Sequence, residues 1–96
     1  AQGRPEEARE EAARALDLCP YSVAAIEFSA NLCQAAGEFA KCAQLRQTAL
    51  ALNPWHAELH RQLADVLYEE LGDSAGALEH YRRYVELEQM RKEAAR

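Results

Sequence analysis

The segments Leu18-Cys19-Pro20 and Leu52-Asn53-Pro54 decide the fold, because the second repeats the pattern of the first 34 residues further along the chain. Three more sets of residues recur at this spacing or at one residue more: Gly3, Gly37 and Gly72; Ala8, Cys42 and Ala77; and Leu18, Leu52 and Leu87. Repeats of this length are typical of stacked arrays in which each unit buries its apolar face against the next. The pattern therefore predicts a binding or scaffolding surface rather than a catalytic pocket.

The composition narrows the classes of protein to consider. The chain has 96 residues, 49% of them hydrophobic, and much of that fraction is alanine, which favours helices and close helix packing. The net charge of −5 argues against a nucleic-acid surface or an anionic membrane as partner. No segment approaches the roughly 20 apolar residues that a membrane-spanning helix needs. We therefore expect one small helical domain with protein partners.

The cysteines indicate a reducing environment. Cys19, Cys33 and Cys42 form no CxxC pair, and an odd number without metal-binding spacing is typical of buried thiols in a reducing compartment. This favours the cytoplasm. Cys33 and Cys42 are expected to face inward within one helix pair, so a disulfide between them is the alternative to two packed thiols.

Proline, glycine and N-cap residues divide the chain into five predicted helices. Each helix ends at a proline or a glycine, except the last, where Gln89 takes the place of Pro20 and Pro54. The last helix is therefore expected to continue to at least Lys92. The five predicted helices are Pro5 to Cys19, 22–36, 39–52, Asn53 to Gly72, and the segment from Asp73-Ser74 onward. The fourth is predicted to have Asn53 as its N-cap and Pro54 in its first turn.

These residues together resemble the tetratricopeptide repeat, whose period is 34 residues. The resemblance implies an all-α fold in which antiparallel helix pairs stack in a right-handed superhelix, with a half repeat at 1–22 and repeats at 23–56 and 57–91. Two departures are the one extra residue between Ala64 and Gly72 and the bulky Tyr84 at a position where a small residue is expected. The matching residues are Ala30, Gly37-Glu38-Phe39, Ala49-Leu50, Leu52 and Asn53-Pro54, then Leu63-Ala64, Leu67-Tyr68, Gly72-Asp73, Ala77, Tyr81 and Leu87.

In proteins of this family, the first helices of the repeats line a concave groove that holds an extended or helical peptide. The register assigns to this groove Ala24, Glu27, Phe28, Asn31, Gln34, Ala35, Glu58, Arg61, Gln62, Asp65, Tyr68 and Glu69. Of these, the residues expected to bind a partner are Glu27, Phe28, Asn31, Arg61, Gln62, Asp65 and Tyr68.

The aromatic and charged members of the groove restrict its ligand. Phe28 either anchors a ligand or packs against a neighbouring repeat, and Tyr68 is the second aromatic candidate. The acids outnumber the single base, Arg61, which favours a neutral or basic partner. Glu27 stands where a lysine would be expected in the family members that bind chaperone tails, so an acidic C-terminal tail is rejected as ligand.

No residue pattern points to catalysis, a cofactor or a metal. His56 and His60 lie four residues apart, but the order HExxH is missing and no third ligand is evident, so both are interpreted as structural or surface residues, and so is His80. Phosphate-binding loops and nucleophile–base pairs are absent as well. The chain is expected to be a non-enzymatic protein–protein interaction module with no cofactor. The alternative is a structural element that self-assembles into a homo-oligomer through apolar terminal helices.

Overall fold

A computed structural model of the chain describes residues 4–95, so the repeat position Gly3 and the ends of the predicted domain 1–96 lie outside the described residues. Over this range the chain forms five α-helices and no strand, as the sequence predicts. Each helix packs against the next one along the chain, as short connections between antiparallel helices require. The helices are α1 (Arg4–Leu18), α2 (Val23–Ala35), α3 (Phe39–Leu52), α4 (Ala57–Glu69) and α5 (Ser74–Ala94).

Small residues lie where the helices approach each other. Ala30 of α2 and Ala64 of α4 are fully buried, as are Cys42 and Ala49 of α3. Larger aliphatic residues fill the space around these contacts, because a helix interface needs both close approach and filled gaps. This confirms the expected core of small residues. The buried cluster contains Ile26, Ala30, Cys33, Cys42, Ala43, Ala49, Leu50, Leu59, Leu63, Ala64, Val66, Leu67 and Ala77.

The predicted start of the fourth helix is wrong. α4 begins at Ala57, and its N-cap is His56, whose Nδ1 accepts a hydrogen bond from the backbone N–H of Leu59 at 3.3 Å. Asn53 and Pro54 belong instead to a turn in which the N–H of His56 donates to the carbonyl of Asn53 at 3.2 Å. Proline has a fixed φ that suits a turn as well as a first helical turn, so Pro54 is compatible with both readings.

The same turn occurs 34 residues earlier, which explains why the two segments look alike. The N–H of Ser22 donates to the carbonyl of Cys19 at 3.1 Å. The Ser22 hydroxyl accepts from the N–H of Ala25 at 3.2 Å and caps α2. Ser22 and His56 therefore cap α2 and α4 at equivalent repeat positions, with different side chains.

The extra residue of the second repeat lies in a loop and leaves the helices unchanged. α4 ends at Glu69, before the predicted end at Gly72, and the loop to α5 is one residue longer than the loop from α2 to α3. Gly37 and Gly72 supply positive φ angles of 79° and 68° in these two loops. The helix pairs keep their register because the added residue is absorbed where no side chain is packed.

α5 is the longest helix and begins where the sequence predicts. The carboxylate of Asp73 accepts a hydrogen bond from the N–H of Gly76 at 3.0 Å and caps the helix. A Cβ at Gly76 would lie 2.5 Å from this carboxylate, which explains a glycine in the first turn. α5 continues past Gln89 to Ala94, confirming the prediction that it reaches at least Lys92.

Candidate functional site

Arg46 of α3 lies between the two helices that carry the predicted groove residues. It is only 2% exposed, and its guanidinium donates to Asn31 Oδ1 and Gln34 Oε1 of α2, each at 2.9 Å, and to Gln62 Oε1 of α4 at 2.7 Å. Its Nε is buried without a hydrogen-bond partner in the described residues. Three amide oxygens thus offset the burial of this charge, and no carboxylate forms an ion pair with it over residues 4–95.

Arg46 is not among the residues predicted from the sequence, although the repeat register contains a signal for it. The residues at the equivalent repeat positions are Ala12 in α1 and Tyr81 in α5. Alanine and tyrosine are both residues that commonly pack between the helices of a repeat array. An arginine at a packing position must find acceptors, because a buried guanidinium without them is strongly destabilising. Its acceptors turn out to include Asn31 and Gln62, two of the predicted binding residues.

The charged groove residues of α4 form a network with Tyr81. Arg61 Nε lies 3.0 Å from Glu58 Oε2, and Arg61 Nη1 lies 2.7 Å from Asp65 Oδ2. The Tyr81 hydroxyl donates to Asp65 Oδ1. The hydrogen bond to Arg61 lowers the pKa of Glu58, and the bond to Asp65 raises the pKa of Tyr81 to about 12. Two of the four predicted groove acids are therefore already paired within the protein.

The aromatic residues predicted for the groove are both accessible. Phe28 of α2 is 43% exposed and Tyr68 of α4 is 61% exposed. Tyr68 also lines an open cleft with Leu78 and Tyr81 of α5. Glu27 is half-buried and Glu69 is exposed, and neither carboxylate has an ion-pair partner in the part of the chain that the structure describes.

His60 and His80, interpreted from the sequence as structural or surface residues, contact each other between α4 and α5. His60 Nε2 lies 3.0 Å from the carbonyl oxygen of Pro54, and His60 Nδ1 lies 3.1 Å from His80 Nδ1. Arg83 lies over the ring of Trp55, with Cζ 5.2 Å from the centroid. These contacts join α5 to the turn that precedes α4.

Neither a metal cluster nor a disulfide is found among the described residues. No group of three or more His, Cys, Asp or Glu side chains in this range is arranged to hold a metal ion. Cys33 and Cys42 are buried free thiols, and Cys19 is an exposed one. Burial raises the pKa of Cys33, which opposes formation of a reactive thiolate.

None of the helices described is both long and apolar enough to cross a membrane.

One side of α5 carries exposed apolar residues whose repeat equivalents are covered. Leu78 is 51% exposed and Val85 is 61% exposed. The equivalent residues of α3, Ala43 and Leu50, are buried in the core cluster that includes α4. We call Leu78, Tyr81 and Val85 the α5 outer face. In a repeat array, this is the face on which a further helix would pack.

Comparison with known proteins supports the fold more than any particular activity. Two structures of MamA share it: one aligns with a TM-score of 0.79 and 25% identity over 88% of this chain, and another, described as MamA MSR-1 C2, with 0.80 and 22% over 91%. The alignments cover 49% of each MamA chain, so this chain spans about half the length of the proteins it matches. This likeness supports a tetratricopeptide-like helical repeat fold. No protein-family model matches the sequence, and no curated protein does.

Proposed function

We propose that this chain is a protein-interaction scaffold that holds an extended segment of a partner protein against the groove faces of α2 and α4. The observation that supports this most is the bridge made by Arg46, which joins Asn31 of α2 to Gln62 of α4. A side chain that ties the two faces together keeps their polar groups at a constant separation. Such preorganisation reduces the entropy lost when a partner binds.

Two exposed aromatics are the proposed anchors of this surface. Phe28 and Tyr68 present large apolar area beside polar groups, which is the composition of binding hot spots. Glu27 and Glu69 are the groove acids without ion pairs in the described residues, so the proposed partner segment is neutral or basic.

A peptide-binding experiment with a matched control tests this function. A displayed library of random peptides is selected on the wild-type protein, and the enriched peptides are measured against the Phe28→Ala, Tyr68→Ala double variant. The control is the Tyr21→Ala, Trp55→Ala double variant, which also removes two exposed aromatics but from the turns before α2 and α4. Loss of binding in the first variant alone is expected. Equal binding by both variants would exclude the groove.

Self-assembly is the second candidate, and the α5 outer face favours it. Leu78 and Val85 are exposed where their equivalents in α3 are buried. Sedimentation equilibrium separates the two candidates, because a binding module is expected to be monomeric without its ligand. Self-assembly predicts an oligomer that dissociates in the Leu78→Glu, Val85→Glu variant. The Gln47→Glu, Ala51→Glu variant, altered on exposed positions of α3, is the control.

A further inference from the structure

The three amide groups around Arg46 have a defined orientation. A guanidinium carries only hydrogen-bond donors, so each amide must present its oxygen to Arg46. These oxygens are Oδ1 of Asn31, Oε1 of Gln34 and Oε1 of Gln62. The NH2 group of each amide is consequently directed away from the guanidinium.

These NH2 groups remain available to a ligand. None of the three donates a hydrogen bond to another group in residues 4–95. The side chains of Asn31 and Gln34 are exposed, and that of Gln62 is half-buried. The side-chain nitrogen of Gln62 is not among the buried polar atoms that lack a hydrogen-bond partner. The groove side of this cluster therefore offers three NH2 groups, while each amide oxygen already accepts a hydrogen bond from Arg46.

The next repeat has the equivalent hydrogen bond, but there it leaves no NH2 group facing outward. Tyr81 is the repeat equivalent of Arg46, and Asp65 is the equivalent of Asn31. Tyr81 donates to Asp65 as Arg46 donates to Asn31. The second oxygen of Asp65 accepts from Arg61 in place of an outward donor. The donor surface thus belongs to one repeat boundary and follows from the pairing of arginine with amides.

We propose that Arg46 positions Asn31, Gln34 and Gln62 as a donor surface that binds the backbone carbonyl oxygens of an extended, uncharged peptide segment. This inference rests on the proposed function and names the chemistry of the ligand. Peptide carbonyls match because amide N–H groups and carbonyl oxygens pair without a net charge. An extended chain presents unpaired carbonyls, whereas a helix uses most of its own.

The charges of the groove disfavour an anionic ligand at this surface. Arg46 is buried beneath the amides, and Arg61 is held by Glu58 and Asp65, so neither cation is free to pair with a ligand carboxylate. Glu27 lies one helical turn before Asn31 on the same face and repels negative charge. The surface therefore suits a neutral acceptor better than a carboxylate or phosphate.

Isosteric variants test the donor surface with a synthetic peptide taken from the library selection on wild type. Asn31→Asp and Gln62→Glu keep an oxygen for Arg46 and replace the outward NH2 by a carboxylate oxygen. We expect each to lower the affinity for the peptide at least about tenfold while the protein remains as stable as wild type. Gln47→Glu, which adds the same charge at an exposed position of α3, is expected to bind unchanged.

The role of Arg46 as a positioning residue is tested with Arg46→Met. This substitution retains much of the buried volume but frees the amides to rotate. The affinity is expected to fall about tenfold, and the side-chain NH2 signals of Asn31 and Gln62 in nuclear magnetic resonance spectra are expected to lose their shift on peptide addition. Wild-type affinity in Arg46→Met would overturn the inference.

The outcomes separate this inference from the proposed function. If no library peptide binds the wild type, the proposed function fails and the donor surface fails with it. If peptides bind the wild type and equally the Asn31→Asp and Gln62→Glu variants, only the donor surface is wrong. Peptides whose binding requires an acidic residue or a free C-terminal carboxylate would overturn the assignment of a neutral ligand.

Discussion

His60 and His80 face each other across the α4–α5 pair, with their Nδ1 atoms 3.1 Å apart. Only one of the two nitrogens can carry the shared proton. His60 Nε2 donates to the carbonyl of Pro54, which leaves His60 Nδ1 as the acceptor and His80 Nδ1 as the donor when both rings are neutral.

The histidine pair is expected to make the stability of the protein depend on pH. Burial and the neighbouring His60 lower the pKa of His80 below its ordinary value of 6.5, while Glu79 and Asp73 act in the opposite direction. Because the unfolded chain then binds the proton more readily, the contribution of His80 to the free energy of unfolding is fully present above pH 6.5. It falls as the pH drops from 6.5 through the lower pKa of the folded state.

Urea denaturation at about pH 7.5 and about pH 5.5 measures this effect. Wild type is expected to be less stable at the lower pH, and His80→Gln is expected to lose part of this difference. His56→Gln, altered at the N-cap of α4, is the control for a histidine outside the pair. An equal pH dependence in wild type and His80→Gln would contradict the neutral pair.

Removing the Arg46 side chain is expected to destabilise the protein more than replacing it. Arg46→Ala leaves a cavity and unpaired amide oxygens, with an expected loss of about 2–4 kcal/mol in the free energy of unfolding. Arg46→Met fills most of the volume and removes the buried charge, so its loss is expected to be about 1 kcal/mol or less. Chemical denaturation of both variants checks the order, and a more stable Arg46→Ala protein would refute it.

Enlarging the small residues at the helix contacts is expected to overpack them. Ala30→Leu and Ala64→Leu each add a bulky side chain at a fully buried position, and the expected cost is about 1–3 kcal/mol. Ala40→Leu, at an exposed position of α3, makes the same chemical change without overpacking. Thermal unfolding followed by circular dichroism compares the three variants. Unchanged melting of Ala30→Leu and Ala64→Leu would show that these contacts have been misassigned.

Substituting proline at Gln89 is expected to shorten α5. Proline removes a backbone donor and clashes with the preceding turn, which disrupts an α-helix by about 3 kcal/mol when it lies inside it. The segment from Gln89 to Ala94 should then lose helical structure, with little change to the core because the nearest buried residue is Leu87. Amide hydrogen exchange after Glu88 measures the loss against a Gln89→Ala control. Equal protection in both variants would contradict the prediction.

The sequence predicted the five helices because their signals are local. Gly37 at a positive φ, Asp73 at an N-cap and the missing proline at Gln89 each act within a few residues along the chain. A 34-residue period then shows that the helices form pairs, since equivalent positions must make equivalent contacts. The likeness of the fold to MamA agrees with this reading.

Local sequence signals did not identify the residue that caps α4. Asn53 and His56 both precede α4, and asparagine is the commoner cap, so the sequence favoured the wrong one. The structure caps α4 with His56 instead, at the repeat position that Ser22 occupies before α2.

The sequence specifies a helical repeat with small residues at the helix contacts, whereas the hydrogen-bond partners of its polar groups depend on how the helices pack. Local propensity and periodicity specify where helices begin, end and bury their apolar faces. They do not specify partners for Arg46, which bonds Asn31 and Gln34 at one helix and Gln62 at another. A buried guanidinium must be satisfied by whichever acceptors the packed helices bring within about 3 Å, and only the folded arrangement selects them.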